Sequence, residues 1–189
     1  MAAIGSLVFT AVATYYGAEV AQQQLEEAQE DNDRETRDQA IHVTFWAEDV
    51  YYGVLARGSA KALHLVNRSP DAVSEIQVTI VATHKDKKRL LRLVDTNLPP
   101  CAEVVFKADA MMSVLRGDGM ARVKDMPWRV ESLTFTDRAG RQWVRGTTYL
   151  TEAKELKDRR LPWGPDSGIV VPAGGGGKVK ALGSCESKA

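Results

Sequence analysis

The histidines are the side chains of this chain best suited to bind a metal ion or to transfer a proton near neutral pH. They are His42, His64 and His84, and none has a His or Cys partner at the short spacings of zinc motifs. No catalytic constellation surrounds them. We therefore expect no catalytic residue, no metal site, no cofactor and no small-molecule substrate, and we do not expect an enzyme. A site assembled from scattered Asp, Glu and His remains the open alternative.

Two short motifs resemble ion or phosphate sites but lack a required residue. Asp31-Asn32-Asp33 begins like a calcium loop, yet Thr36 stands where that loop needs glycine. The glycine run before Lys178 lacks both the spacing of a phosphate loop and the Ser or Thr that follows its lysine. We interpret the first motif as part of a helix and the second as a linker.

A cluster of cations, Lys85, Lys87, Lys88 and Arg89, falls in a predicted hairpin loop. Such a loop can contact anionic lipid headgroups, with each cation contributing about 1 kcal/mol near the surface. The alternative is an ordinary solvated loop. The formal net charge of the whole chain is +0, which gives no electrostatic reason to expect a nucleic-acid partner.

Three aromatic residues, Trp46, Tyr51 and Tyr52, are candidates for an exposed interface patch. Trp46 follows Phe45 in an alternating β pattern, so one of the two should face outward. Trp46 is therefore the best single candidate for a contact with a protein partner. The alternative for each of these aromatic residues is a place in the core.

The elements that must position these residues are mainly strands. Residues 41–151 contain about eight short β-rich runs, separated by turns rich in Pro, Asn and Gly such as 137–141. The pattern predicts an antiparallel immunoglobulin-like β-sandwich preceded by a long N-terminal helix. Only residues 108–115 are predicted to be helical within this domain.

The N-terminal segment divides at Glu19. Residues 1–18 are uncharged and mostly apolar, and as a helix they span about 27 Å, close to the ~30 Å hydrocarbon core of a bilayer. Residues 19–40 carry eight acids and two bases, a net charge of −6, among good helix formers. We predict a single-pass membrane anchor followed by a polar helical stalk. A cleaved signal peptide and a soluble helix remain alternatives for residues 1–18.

The remaining predictions concern the C-terminal extension and the compartment. Residues 152–189 are predicted to extend the domain, largely disordered after 172. Cys101 and Cys185 are interpreted as unpaired thiols, which suit a reducing compartment. The bases Arg34 and Arg37 weakly favour a cytoplasmic C-terminal domain at the cell membrane. An extracytoplasmic domain is the alternative.

Several stretches of the chain resemble parts of uncharacterised actinobacterial single-pass membrane proteins. The resemblance covers most of residues 10–151. It implies an N-terminal anchor, a helical stalk and a β-sandwich domain, and it implies no activity. The similar stretches are residues 14–16 (TYY), 37–40 (RDQA), 43–46 (VTFW), 66–69 (VNRS) and 135–143 (FTDRAGRQW).

These observations predict a membrane-tethered, non-enzymatic module that binds a protein partner or assembles with one. The alternative is a structural subunit of a larger oligomeric assembly, in which the N-terminal helix mediates self-association.

Overall fold

The structure of the protein is a computed structural model that divides into two compact units, Met1–Asp38 and Gln39–Ala189. The described residues are 2–48, 51–52, 56–57, 60–94, 97–156, 167–173, 176–183 and 185.

One helix, α1, spans Ala2–Ile41, so the predicted anchor and the predicted stalk are a single continuous helix. Its described side chains, from Tyr16 onward, are exposed up to Asp38, whereas Gln39 and Ala40 are buried. In the described part of the chain, no helix is long and apolar enough to span a membrane. The predicted single-pass anchor at residues 1–18 is therefore unsupported. The side chains of residues 1–15 are not among those that the structure describes.

The unit Gln39–Ala189 is built from β-strands. The strands of the described residues are β1 Val43–Glu48, β2 Tyr51–Tyr52, β3 Ala56–Arg57, β4 Ala62–Asn67, β5 Val73–His84, β6 Lys87–Val94, β7 Asn97–Leu98, β8 Ala102–Lys107, β9 Met111–Leu115, β10 Gly119–Arg122, β11 Trp128–Thr136, β12 Gln142–Arg145, β13 Leu150–Glu152, β14 Ser167–Pro172 and β15 Lys178–Ala181.

The strands form two sheets and a short β2–β3 ribbon. The smaller sheet has the order β1-β4-β8-β15, and the larger has the order β10-β9-β14-β6-β5-β11-β12-β13 with β7 beside β5. All of these pairs are antiparallel except β14 with β6, which are parallel. The larger sheet is therefore mixed, and the prediction of a wholly antiparallel fold is wrong at this one pair.

The inward sides of the two sheets share one hydrophobic core. The small sheet contributes Leu63 and Phe106, and the large sheet contributes Ile80 and Phe135, all fully buried in the same cluster. Alternation along the strands produces this arrangement, because successive side chains point to opposite faces of a sheet. The prediction of a mainly β fold with an N-terminal helix is confirmed.

The predicted helix at residues 108–115 is wrong. A short 3-10 turn covers Ala108–Ala110, and the chain then enters strand β9. Met111, Ser113 and Leu115 are buried there, whereas Val114 is exposed, a period of two. Pairing with β10 and β14 therefore overrides the helical preference of Ala and Met.

The C-terminal extension is more ordered than predicted. β14 lies between β9 and β6 in the large sheet. β15 pairs with β8, so the prediction of disorder after 172 does not hold for Lys178–Ala181. Cys101 and Cys185 form a disulfide with a Cα–Cα distance of 4.8 Å. The interpretation of both cysteines as unpaired thiols is wrong for this structure, because pairing with β8 brings the end of the chain back to Cys101.

Candidate interaction surfaces

Trp46 lies on β1, which is an edge strand of the small sheet among the described residues. It is 43% exposed, and its direct cross-strand partner is His64 on β4. The two rings are stacked, with centroids 4.9 Å apart and planes 9° from parallel. A large aromatic side chain is thus stacked on a cross-strand imidazole with much of its surface open to solvent.

His64 is itself held between two carboxylates. Its Nδ1 lies 2.7 Å from Oε1 of Glu103 on β8, and its Nε2 lies 3.9 Å from Oε2 of Glu48 on β1. With a proton on Nδ1, the ring donates a hydrogen bond to Glu103, which fixes the ring plane. The hydrogen bond to Glu103 therefore orients the imidazole on which Trp46 stacks.

No described exposed side chain of Tyr51, Tyr52 or Trp143 extends the surface at Trp46. Tyr51 and Tyr52 form β2, paired with β3, but their side chains lie outside the described residues. Trp143 is buried, and its indole N–H donates to Oδ2 of Asp137 at 2.7 Å. Trp143 therefore belongs to the core.

The predicted basic cluster is split by the β5–β6 hairpin. Lys87 and Lys88 are exposed, whereas Arg89 is buried and ion-paired with Asp118, in the β9–β10 turn. Lys85 reaches the other oxygen of Asp118 at 3.3 Å. The hydrogen bond from Lys85 and the charges of Lys85 and Arg89 hold the pKa of the Asp118 carboxyl below its usual range.

A further exposed surface lies on the outward face of β10, β9, β14 and β6. Met120, Val114 and Ile169 are aligned across the first three of these strands. A groove of about 490 Å³ runs beside them. Sequence reasoning missed this surface because β9 was predicted as a helix, and the period-two pattern in residues 111–115 was the signal that would have revealed it. The groove is lined by Arg92, Val114, Leu115, Arg116, Ser167, Gly168 and Ile169.

Within the residues whose placement is described, no group of three or more His, Cys, Asp or Glu side chains is arranged to hold a metal ion. The expectation of no cofactor and no catalytic residue stays a prediction.

Comparison with known proteins gives no relative: no family model, no curated protein and no solved structure matches the chain. Functional inference therefore rests on the surfaces described above.

Proposed function

We propose that this chain is a non-enzymatic binding module that recognises a protein partner through Trp46 and the edge strand β1. The observation that carries the proposal is a half-exposed tryptophan held in one orientation by a stacked histidine at the edge of a sheet. Tryptophan is among the residues that most often dominate the binding energy of protein interfaces.

The arrangement lowers the entropic cost of binding. An exposed side chain normally loses rotamer freedom on association, at a cost of about 0.5–1.5 kcal/mol. Stacking on His64, which Glu103 orients, restricts the Trp46 ring before a partner arrives. More of the energy of burying the indole is then available as affinity.

The position at a sheet edge adds a second source of affinity. The outer side of an edge strand presents backbone N–H and C=O groups that a partner strand can pair with. Trp46 projects from the face of the same strand. A partner that adds a strand beside β1 would also place its side chains near Trp46.

The test is site-specific photo-crosslinking in the native cell, with a photoreactive phenylalanine at position 46. The matched control carries it at Val179, an exposed apolar residue on β15, the other edge of the small sheet among the described strands. We expect an adduct of one discrete mass from position 46 and none of that mass from position 179. Adducts of the same mass and yield from both positions, or from neither, would contradict the proposal.

Affinity for the crosslinked partner, once purified, provides the quantitative test. Trp46→Ala should weaken binding by roughly 30-fold or more, the effect of losing a hot-spot residue of about 2 kcal/mol. His64→Ala should weaken it less, because the indole remains but loses its support. Val179→Ala should leave binding unchanged.

Membrane tethering and location remain parts of the proposal. A tether through residues 1–18 and an immunoglobulin-like topology would agree with the resemblance to actinobacterial single-pass membrane proteins. The Cys101–Cys185 disulfide is typical of oxidising compartments and supports the extracytoplasmic alternative for the β domain over the cytoplasmic one.

The alternative function, a subunit that assembles through its helix, is favoured by one observation. α1 is 40 residues long, belongs largely to a compact unit of its own, and exposes the apolar residues Tyr16, Val20 and Leu25. Sedimentation of the purified full chain distinguishes the two functions. A stable oligomer that dissociates when Val20 and Leu25 are changed to Gln would support assembly, and a monomer would exclude self-assembly through α1.

A further inference from the structure

A row of exposed apolar side chains crosses three neighbouring strands of the large sheet. Met120 on β10 lies directly opposite Val114 on β9, which in turn lies opposite Ile169 on β14. Met120 is 74% exposed and Ile169 is 57% exposed. The sequence neighbours of Val114 and Ile169, namely Leu115, Gly168 and Val170, are buried. The row is therefore the outward side of a sheet whose other side faces the core.

The apolar surface continues beyond this row. Val171, two residues along β14, is exposed and lies opposite Met112, and Val94 at the end of β6 is also exposed. The groove beside Ile169 has Gly168 in its wall, where an added Cβ would lie 2.7 Å from the Val114 carbonyl oxygen. The close approach of β14 to β9 thus depends on a glycine at this position.

The charged side chains within the strands of this face are all basic. The strands β6, β9, β10 and β14 contain no Asp or Glu within their bounds. Exposed cations accompany the apolar row: Lys88 on β6, Arg116 directly after β9, and Arg122 on β10. The nearby carboxylate of Asp118 is already engaged by Lys85 and Arg89. An exposed apolar surface surrounded by cations is complementary to a partner that is apolar and anionic.

We propose that this face is a peripheral docking surface for a bilayer that contains anionic lipids. The aliphatic side chains of Val114, Met120 and Ile169 enter the boundary between headgroups and acyl chains, while the cations contact lipid phosphates. This inference goes beyond the protein-binding function, since Trp46 lies on the other sheet and neither surface requires the other.

Three features favour a bilayer over an acidic protein. The described apolar residues of the row include no aromatic side chain, whereas protein hot spots are enriched in Trp and Tyr. Lysine is depleted at protein interfaces, yet Lys87 and Lys88 stand exposed at the adjoining end of β6. The row also lies on the broad face of a sheet, which a planar membrane surface can meet along its whole length.

The test measures co-sedimentation of the full chain with vesicles of phosphatidylcholine alone and of phosphatidylcholine mixed with phosphatidylglycerol. The apolar variant is Met120→Gln combined with Ile169→Gln, and the charge variant is Arg116→Gln combined with Arg122→Gln. The matched controls on the small sheet are Val179→Gln and Lys180→Gln, which are also exposed. Circular dichroism establishes whether each variant is folded. If the apolar double variant does not fold, the single variant Met120→Gln replaces it.

We expect the wild type to bind the anionic vesicles, with binding that weakens as salt is added. Each double variant should bind at least about tenfold more weakly, and the two controls should bind like the wild type. Equal binding by all variants would overturn the proposal and assign any membrane affinity to another segment such as α1. Binding that ignores lipid charge, or no vesicle binding by the wild type, would also overturn it. The vesicle assay does not depend on a protein partner at Trp46. The membrane proposal can therefore fail while the protein-binding proposal holds, and the reverse.

Discussion

Single buried polar side chains fix the turns of the β domain. Asp137 is buried where β11 ends, and its Oδ1 accepts hydrogen bonds from the backbone N–H groups of Ala139 and Arg141 at 2.9 and 2.8 Å. Its Oδ2 accepts one from the Trp143 indole. One carboxylate therefore both shapes the hairpin and anchors a core aromatic side chain.

Replacement of Asp137 tests this double role. Asp137→Ala leaves two backbone N–H groups and one indole N–H without an acceptor, so the free energy of unfolding should fall by about 2–4 kcal/mol. Asp137→Asn should cost less than Asp137→Ala, because the amide oxygen can still accept from the backbone while its NH₂ faces the indole donor. Urea unfolding followed by tryptophan fluorescence measures both. Equal losses for Ala and Asn would contradict the role of the backbone bonds.

At the scale of residues, the sequence predicted features that depend on neighbouring residues, but it did not predict contacts between residues far apart in the chain. The turn at residues 137–141 was predicted from Gly140 and its neighbours, and the structure confirms the hairpin between β11 and β12. Arg89 was predicted as an exposed cation because its sequence neighbours are lysines. Its partner Asp118 is 29 residues away, and only the folded sheet brings the two together.

At the scale of elements, the β5–β6 and β9–β10 hairpins are joined by one ionic cluster. The β5–β6 turn uses Lys85 and Asp86 at φ values of 49° and 60°, which match a type I′ turn and the twist of the paired strands. Asp118, in the other turn, binds both Lys85 and Arg89. The carboxylate therefore holds together two hairpins that are not adjacent in the sheet.

This cluster makes stability depend on pH in a defined direction. The pKa of Asp118 is lowered in the folded state, so its stabilising effect is fully present above the unfolded pKa of about 3.9. The effect is lost as the pH falls through the lower folded pKa. The wild type should therefore exceed Asp118→Asn in urea midpoint at pH 6, and the difference should disappear at the acid end of the titration.

The control for this prediction is Asp86→Asn, a carboxylate in the exposed β5–β6 turn. It should reproduce less of the pH-dependent difference, because Asp118 is the carboxylate bonded to both Lys85 and Arg89. A difference between the wild type and Asp118→Asn that stays constant down to low pH would show that the charge of Asp118 does not stabilise the fold.

The elements that sequence analysis missed share a physical cause. β9 was predicted as a helix, and β15 as disordered chain, because short segments carry weak local preferences. β15 is exposed at all four residues and pairs only with β8 among the described strands. Gly177, just before it, lies so close to Phe106 and Val104 that an added Cβ would collide with them. Such segments form strands because they pair with neighbouring strands, and their own sequences do not predict this pairing.

At the scale of the whole molecule, the compact β unit begins before its first strand. Gln39 and Ala40, at the end of α1, are buried and belong to this unit. The side-chain oxygen of Gln39 accepts a hydrogen bond from the Arg138 backbone N–H at 3.3 Å. The last turn of the helix is thus part of the domain, although the start of the alternating β pattern placed the boundary at Ile41.

Arg145 makes that last turn energetically important. Its guanidinium donates to the carbonyl oxygens of Ala40 and Ile41 at 3.2 and 3.0 Å, and burial lowers its pKa. A partly buried cation that loses its acceptors keeps its desolvation cost and loses the compensating bonds. The contribution of residues 39–41 should therefore exceed what burial of one alanine provides.

Two truncations separate this contribution from that of the rest of the helix. A chain that begins at Gln39 retains every contact just described, so its free energy of unfolding should lie within about 0.5 kcal/mol of the full chain. A chain that begins at Val43 removes Ala40 from the core and both acceptors from Arg145, and it should lose about 2–4 kcal/mol. Urea unfolding of the three chains, followed by Trp128 and Trp143 fluorescence, measures the difference. Equal stability of the two truncated chains would place the domain boundary after Ile41, and a large loss on removing residues 1–38 alone would show that the β unit depends on the rest of α1.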